Sequence, residues 1–353
     1  RKFSLRGLGP VLIGALALGY LIIAPAGHIS LPSEVALSQT ASWEIAQQAL
    51  VARPAFGIGP GTWVYAHALY HSPLANLSPF WATYFDRGIS LMLTLLATTG
   101  IVGILAFFLL ILAVLGFTLR EIMCMRRSVN HTEGWQVIFL PLGGWVALLV
   151  AMPLYNFNLA HQIAFWMLTG CLVGFGTRRR VLFDGSKGWR AYILPAKATL
   201  VGLLVLSIWV LGGQTLWAEV RLARTLETYQ AGQLSADAVI EQLQAIRTIH
   251  PWNDVSARML AQAYLVRVLQ QTKDKPPAEQ ARLVGEDVSK MVDAALEAIR
   301  LNPASAENWS NAGLIYGSVA PFTRGADVFA IKNYQEAMAR DPQNPVHPTE
   351  IGK

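Results

Sequence analysis

Charge is scarce in this sequence of 353 residues, with Asp, Glu, Lys and Arg together making up 14%. Soluble domains carry roughly 25%, so the shortage excludes an ordinary single soluble domain. A hydrophobic fraction of 53% excludes intrinsic disorder as well. Cysteine is nearly missing. Cys124 and Cys171 cannot build a disulfide framework or a Cys-rich zinc site. Both fall in or beside apolar runs and are expected as small core residues. The net charge of +6 is unevenly spread: residues 1–218 carry +8 and residues 219–353 carry −2. The basic excess lies in the apolar part, which points to membrane lipid as a partner and removes nucleic acid.

A spanning helix needs about 20 mostly apolar residues. Four uncharged runs meet that need. The first gives a span at Leu8 to Gly27, and the second, Gly88 to Leu119, gives another. The third holds 44 residues between Glu133 and Arg178, and is broken by Met152-Pro153-Leu154-Tyr155-Asn156-Phe157-Asn158. Proline and asparagine there favour a turn, so it reads as a helical hairpin over 135–153 and 157–176. A fifth span runs from Ala198 to Trp217. With five alternating crossings, twelve Lys and Arg fall on one side and only Arg53 and Arg87 on the other. Cytoplasmic flanks are the basic ones, so the 28–87 loop and everything after Trp217 are expected outside. Since Arg stands at position 1, the chain is expected to be part of a longer protein with further spans upstream.

After Trp217 the pattern changes to amphipathic helices. Ala298-Ile299-Arg300-Leu301-Asn302-Pro303 recurs as Ala337-Met338-Ala339-Arg340-Asp341-Pro342. A helix closed by Asn/Asp-Pro and followed by a fresh helix start is the punctuation of helical repeats. Asn308, Trp309, Gly313, Tyr316, Tyr334 and Ala337 fit the tetratricopeptide repeat, which this region resembles over about 240–345. His250-Pro251-Trp252-Asn253 reads as an earlier, degenerate copy. Such repeats either bind a protein partner on a concave face or only pack against their neighbours.

The outward loop carries the candidate chemistry. Ala41 to Arg53 forms an amphipathic helix with Trp43, Ile45, Ala46, Ala49 and Leu50 on its apolar face. Gly57, Gly59 and Gly61 follow in Pro54-Ala55-Phe56-Gly57-Ile58-Gly59-Pro60-Gly61-Thr62-Trp63. Alternate glycines permit close backbone approach; they serve either substrate binding or a tight turn. His67 and His71, four apart, share a helix face beside Tyr65 and Tyr70. No third ligand accompanies them, so stacking on a sugar or an interfacial aromatic belt is expected, not a metal site. His161 in the fourth span is expected as a neutral imidazole hydrogen-bonded between helices.

Ser42-Trp43, the Pro54 to Trp63 glycine motif, Phe80-Trp81, Phe85-Asp86-Arg87, the Ala97 to Gly103 stretch and the Pro153 to Trp166 hairpin together resemble the O-antigen ligase and polysaccharide polymerase superfamily. The resemblance covers about residues 40–175, the carboxy-terminal half of such a membrane domain. It implies an all-α architecture: a bundle of about five spans followed by an extracytoplasmic repeat domain, in a bacterial cytoplasmic membrane. It also implies a glycosyltransferase that moves a glycan from a polyprenyl-diphosphate carrier to an acceptor at the outer leaflet, with no cofactor required. Such chemistry needs cations for the diphosphate and a base for the acceptor hydroxyl. The family's His-Asn-Glu positions fall here on Ile89, Ser90 and Leu91, and a further acidic position falls on Thr98. Asp86 and Arg87 are the nearest catalytic substitutes, with Arg53 as a second phosphate contact; the alternative for this pair is a marker of the membrane surface. A non-catalytic membrane-anchored scaffold is the competing reading of the whole chain.

Overall fold

The computed structural model describes residues 35–127, 136–177, 190–273, 277–321 and 323–353. Among these the protein is all-helical, with twelve α-helices, one 3-10 turn and no strand. The expected span at 8–27 and most of the basic flanking residues lie outside the described residues.

Helix α1 (Gln39–Ala52) begins at Ser38, whose hydroxyl accepts the Ala41 N–H at 3.1 Å. It ends at Arg53, since a residue before proline is held out of the helical region. Its buried face is Ser42, Ile45, Ala46 and Ala49; Trp43, expected on that face, is 50% exposed. The reason is polar: Ser42 Oγ accepts the Ile89 N–H at 3.0 Å, which turns Ser42 inward. Helix α2 (Trp63–Tyr70) packs on α1 through the fully buried Trp63, and a 3-10 turn at Pro73–Leu77 follows.

Helix α3 (Leu91–Arg127) is succeeded by α4 (Gln136–Ala151) and α5 (Leu159–Thr177), matching the expected span and hairpin in position. Val114, Ile138, Trp145, Met152, Phe165 and Leu172 make their common core. Trp145 Nε1 donates to Thr169 Oγ1 at 2.9 Å, giving the indole N–H a partner in an apolar interior. Among the described residues, Leu91–Cys124 and Thr199–Gln230 are long and apolar enough to cross a membrane; Ile138–Ala151 and Leu159–Gly174 are apolar but shorter. Cys124 and Cys171 are exposed, on helix faces turned away from this core. They are not the core residues expected.

Helix α6 (Arg190–Gln230) does not stop at Trp217. It runs on for thirteen more residues to Gln230, and the turn is made at Gly232, whose φ of 70° suits glycine. No proline lies between Trp217 and Gln230, so one helix carries the exposed apolar stretch and then Ala218 and Leu222, which are buried among the helices that follow. These are α7 (Ala236–Ile249), α8 (Asp254–Thr272), α9 (Pro277–Leu301), α10 (Ala306–Val319), α11 (Ala326–Arg340) and α12 (Val346–Ile351). Ser235, Asn253 and Ser305 cap three of them by accepting backbone N–H groups. Leu243, Ala261, Met291, Ala295, Ala312 and Ile315 lie at the centre of the core. Gly313 lets α10 and α11 close up, because a Cβ there would stand 2.8 Å from the Tyr334 ring. His250 and Asp341, each before a proline, end their helices with nearly the same backbone geometry as Arg53.

Candidate functional site

The site grows from the way the segment 54–85 is held between α3 and the later helices. Inside α3, Gly100 takes φ 65° and ψ −166°, which breaks the helical hydrogen-bond ladder. Orphan backbone groups in an apolar helix are costly unless they find partners. Here the Pro54–Gly59 stretch supplies four such partners. Ile58 and Gly59 N–H donate to the carbonyls of Ala97 and Thr98, and Ile101 and Val102 N–H donate to those of Pro54 and Ala55, each at 3.0 Å. The approach requires two glycines: a Cβ on Gly57 would lie 2.4 Å from the Ala97 oxygen, and one on Gly100 would lie 2.5 Å from the Ala55 oxygen. The Gly57 N–H is also engaged, donating to the Arg53 carbonyl. Gly57 and Gly59 therefore serve the joint with α3 and offer no free N–H cradle for phosphate. Gly61, with φ 72° and nothing within 4 Å of its Cβ position, serves the turn into α2.

Beyond the joint, the segment binds the later helices through side chains. Asn302 Nδ2 donates to Tyr65 Oη at 2.7 Å, and Tyr84 Oη donates to Asp341 Oδ2 at 2.6 Å. Asn302 and Asp341 are the equivalent pre-proline residues of the two similar sequence motifs, and each of these turns bonds one tyrosine hydroxyl. Asn344 Nδ2 reaches both Tyr84 Oη and Asp341 Oδ2 at 3.1 Å, and Asn76 Nδ2 donates to the Gln343 carbonyl at 2.6 Å.

The two histidines sit inside this junction. Their rings stack at 5.3 Å, and Phe85 meets His67 edge-on, also at 5.3 Å. His71 Nδ1 lies 3.0 and 3.1 Å from the His67 and Ala68 carbonyls, so it carries the proton and donates. Asp341 Oδ1 stands 3.8 Å from that nitrogen. Burial, aided by neighbouring His71 and opposed by Asp341, pushes His67 down to about 4. Burial and then the bond to Asp341 push the Tyr84 hydroxyl well above its ordinary range. Burial also lowers His347, against the pull of Asp341.

A cavity of about 380 Å³ opens between this segment and the helices, with Trp81 and Tyr84 on one wall and Arg258, Asn311, Tyr334 and His347 on the other. None of these was singled out as a site residue from the sequence. The available signal was the repeat pattern itself, which fixes where Asn302 and Asp341 fall.

Of the catalytic candidates, Asp86 and Arg87 are exposed, and their described contact is with each other, Arg87 Nε donating to Asp86 Oδ1 at 3.1 Å. Arg53 is exposed at the end of α1. No hydrogen bond or ion pair among the described residues joins Arg53 to Asp86 or Arg87, and they do not line the 380 Å³ cavity. The positions matching the family's His-Asn-Glu are taken up in packing. Ser90 is buried with its hydroxyl on the Met152 carbonyl at 3.3 Å, and the Leu91 N–H donates to the same carbonyl at 3.1 Å. Thr98 is buried and its hydroxyl donates back to Thr94. His161 bonds Asn158 at the head of its own helix at 2.7 Å, and not a neighbouring helix as expected. No cluster of three or more His, Cys, Asp or Glu with metal-holding geometry occurs among the described residues.

No family model matches this chain, and no curated protein matches it significantly.

Proposed function

We propose that the protein is an O-antigen-ligase-like membrane glycosyltransferase, transferring or polymerising a polyprenyl-diphosphate-linked glycan at the outer face of a bacterial cytoplasmic membrane. In this reading α3, the α4–α5 hairpin, the apolar part of α6 and the residue 8–27 run are five spans of a multi-pass domain. The helices after Trp217 are tetratricopeptide-like repeats facing outward, open to a protein partner. The observation that carries the reading is the break in α3 at Gly100, clasped by the Pro54–Gly59 motif. Broken helices in apolar surroundings are tolerated where protein or a cavity meets their backbone, and here the clasp anchors a segment that goes on to wall a cavity with the repeats. Arg87 and Arg53 offer charge-assisted donors for diphosphate, and Asp86 offers a proton acceptor.

One observation favours the scaffold reading: Ser90 and Leu91 spend their polar groups on the hairpin turn, and Asp86 lies open to solvent. Reconstitution separates the two. The protein in liposomes, given polyprenyl-diphosphate-linked oligosaccharide and an acceptor sugar, should release polyprenyl diphosphate, and Asp86→Ala or Arg87→Ala should slow release at least tenfold. Release that ignores both substitutions removes them from the chemistry. A chain that releases nothing is the scaffold.

A further inference from the structure

We propose that the break at Gly100 is where α3 enters the bilayer, and that Phe56 on the clasp seats in the outer leaflet beside it. The partner of this surface is lipid. Exposure changes abruptly at the break. No residue from Leu91 to Gly100 is exposed, and α1 covers this leg by packing Ile45, Ala46 and Ala49 against Ala97. From Ile101 to Leu119, eleven of the nineteen residues are exposed, among them Leu105, Leu109 and Leu112. A helix wrapped in protein thus becomes, at one residue, a helix bare over most of its surface.

Charge fixes the depth. Ile101 to Leu119 contains no Asp, Glu, Lys or Arg, and Arg120 follows. At the other end Arg53 is exposed, and it precedes Pro54, whose carbonyl accepts the Ile101 N–H at 3.0 Å. Two arginines therefore bracket about 28 Å of helix, against a hydrocarbon core of about 30 Å. Entry at Leu91 instead would sink Arg53 by up to about 15 Å, where an ionised side chain is costly. The hairpin agrees. Helix α5 also has 19 residues, Leu159–Thr177, and Arg178 comes next. Phe107 lies seven residues past Gly100 and Phe165 six past Leu159, and their rings meet at 6.2 Å. At about 1.5 Å per residue both are about 10 Å down their helices, so Gly100 and the start of α5 share one level.

Phe56 stands at that level. Its neighbours are pressed onto α3: the Ala55 carbonyl accepts the Val102 N–H at 3.0 Å, and a Cβ on Gly57 would lie 2.4 Å from the Ala97 oxygen. Phe56 itself is 73% exposed, and Ile101 and Val102 beside the clasp are exposed too. Exposed apolar patches mark a membrane or a protein partner. Lipid is the occupant here because the patch runs on into the bare, uncharged face of α3, while Arg53 can hold its guanidinium among the headgroups. The proposal rests on α3 crossing a bilayer, as in the function proposed above, and on nothing about glycan transfer.

The test measures depth, with the full chain in vesicles of phosphatidylethanolamine and phosphatidylglycerol. Cys124→Ser and Cys171→Ser clear the background, and Phe56→Cys or Leu109→Cys carries a nitrobenzoxadiazole fluorophore. Both positions are exposed, so an unaltered melting temperature in detergent shows that each variant keeps its fold. At Phe56, nitroxide lipids spin-labelled near the headgroup should quench roughly threefold or more better than those labelled near the chain end. At Leu109 the order should reverse. Three results at Phe56 overturn the proposal. Quenching best by the deep nitroxide puts the entry nearer Leu91. Quenching by aqueous iodide and by neither lipid puts the clasp in water. Quenching by nothing means that a protein or a second copy covers it. A Leu109 label that meets no lipid quencher removes the span itself, and the multi-pass reading with it. A deep Leu109 with any of the three Phe56 results removes this proposal alone.

Discussion

Residues 54–59 are joined to α3 by backbone hydrogen bonds, whereas residues 65–84 are joined to the later helices by side-chain hydrogen bonds. At the α3 joint, four peptide hydrogen bonds form around two glycines, and no titratable group takes part. At the junction with the later helices, Tyr65, Tyr84, Asn76 and His71 face Asn302, Asp341, Asn344 and the Gln343 carbonyl. The difference teaches what each joint tolerates. The first accepts many side chains but not a Cβ at two points, and is indifferent to pH. The second depends on the identity of each polar group, and acid weakens it.

The largest expected effect breaks the first joint. Gly57→Ala or Gly100→Ala forces a Cβ against backbone at a positive φ, and should cost about 3 kcal/mol or more, read as a fall in melting temperature in detergent. Gly61→Ala, equally left-handed but with open space around it, should cost only about 1 kcal/mol. Equal losses at all three positions would mean that conformation, and not close approach, sets the glycine requirement.

Next comes the second joint. Tyr84→Phe leaves buried Asp341 short of a hydroxyl donor and should cost about 2 kcal/mol, with faster proteolytic cleavage within residues 72–85 while the Gly57 region stays protected. Cleavage spreading equally to both regions would show that the two halves are one cooperative unit.

Acid should then act on the second joint alone. Folded His67 is held neutral down to about 4 from an ordinary 6.5, so the unfolded chain takes up the proton first. The stability that neutral His67 gives is present above pH 6.5 and drains away as pH falls toward 4; His347, lowered in the same direction, adds to this. Hydrogen exchange between pH 7 and 4.5 should rise in residues 63–85 and remain flat at Ile58, Gly59, Ile101 and Val102. His67→Gln should reduce the slope. The smallest effect belongs to Asp86→Ala, an exposed adjacent pair whose loss should move stability by less than about 0.5 kcal/mol, so that any change in transfer reports on chemistry and not on folding.

Much of the architecture was legible in the residues. Apolar run lengths gave α3, the α4–α5 hairpin and the apolar middle of α6, and the recurrence of Asn302-Pro303 as Asp341-Pro342 gave two of the turns between later helices. The end of α6 was not, because a drop in hydrophobicity at Trp217 marks a change of surroundings while the backbone goes on unbroken to Gln230. The glycine motif announced close approach but not its partner: Gly100 sits in an apolar run, where a lone glycine looks ordinary. The cavity was illegible for the same reason. Trp81 and Tyr84 come from one end of the described chain, Arg258, Asn311 and His347 from the other, and only the fold brings them together. Asp86 and Arg87 were conspicuous as charges in a stretch with few, which is a statement about composition and not about position.

The most direct measurement is photo-crosslinking of a polyprenyl-diphosphate-linked glycan that carries a diazirine on its terminal sugar, with labelled peptides mapped by mass spectrometry. Label is expected on the peptides holding Trp81 and Tyr84 and on those holding Asn311 and His347, lost when free saccharide is added in excess. Label confined to the apolar faces of α3 and α6, or label that free saccharide does not compete away, would contradict it.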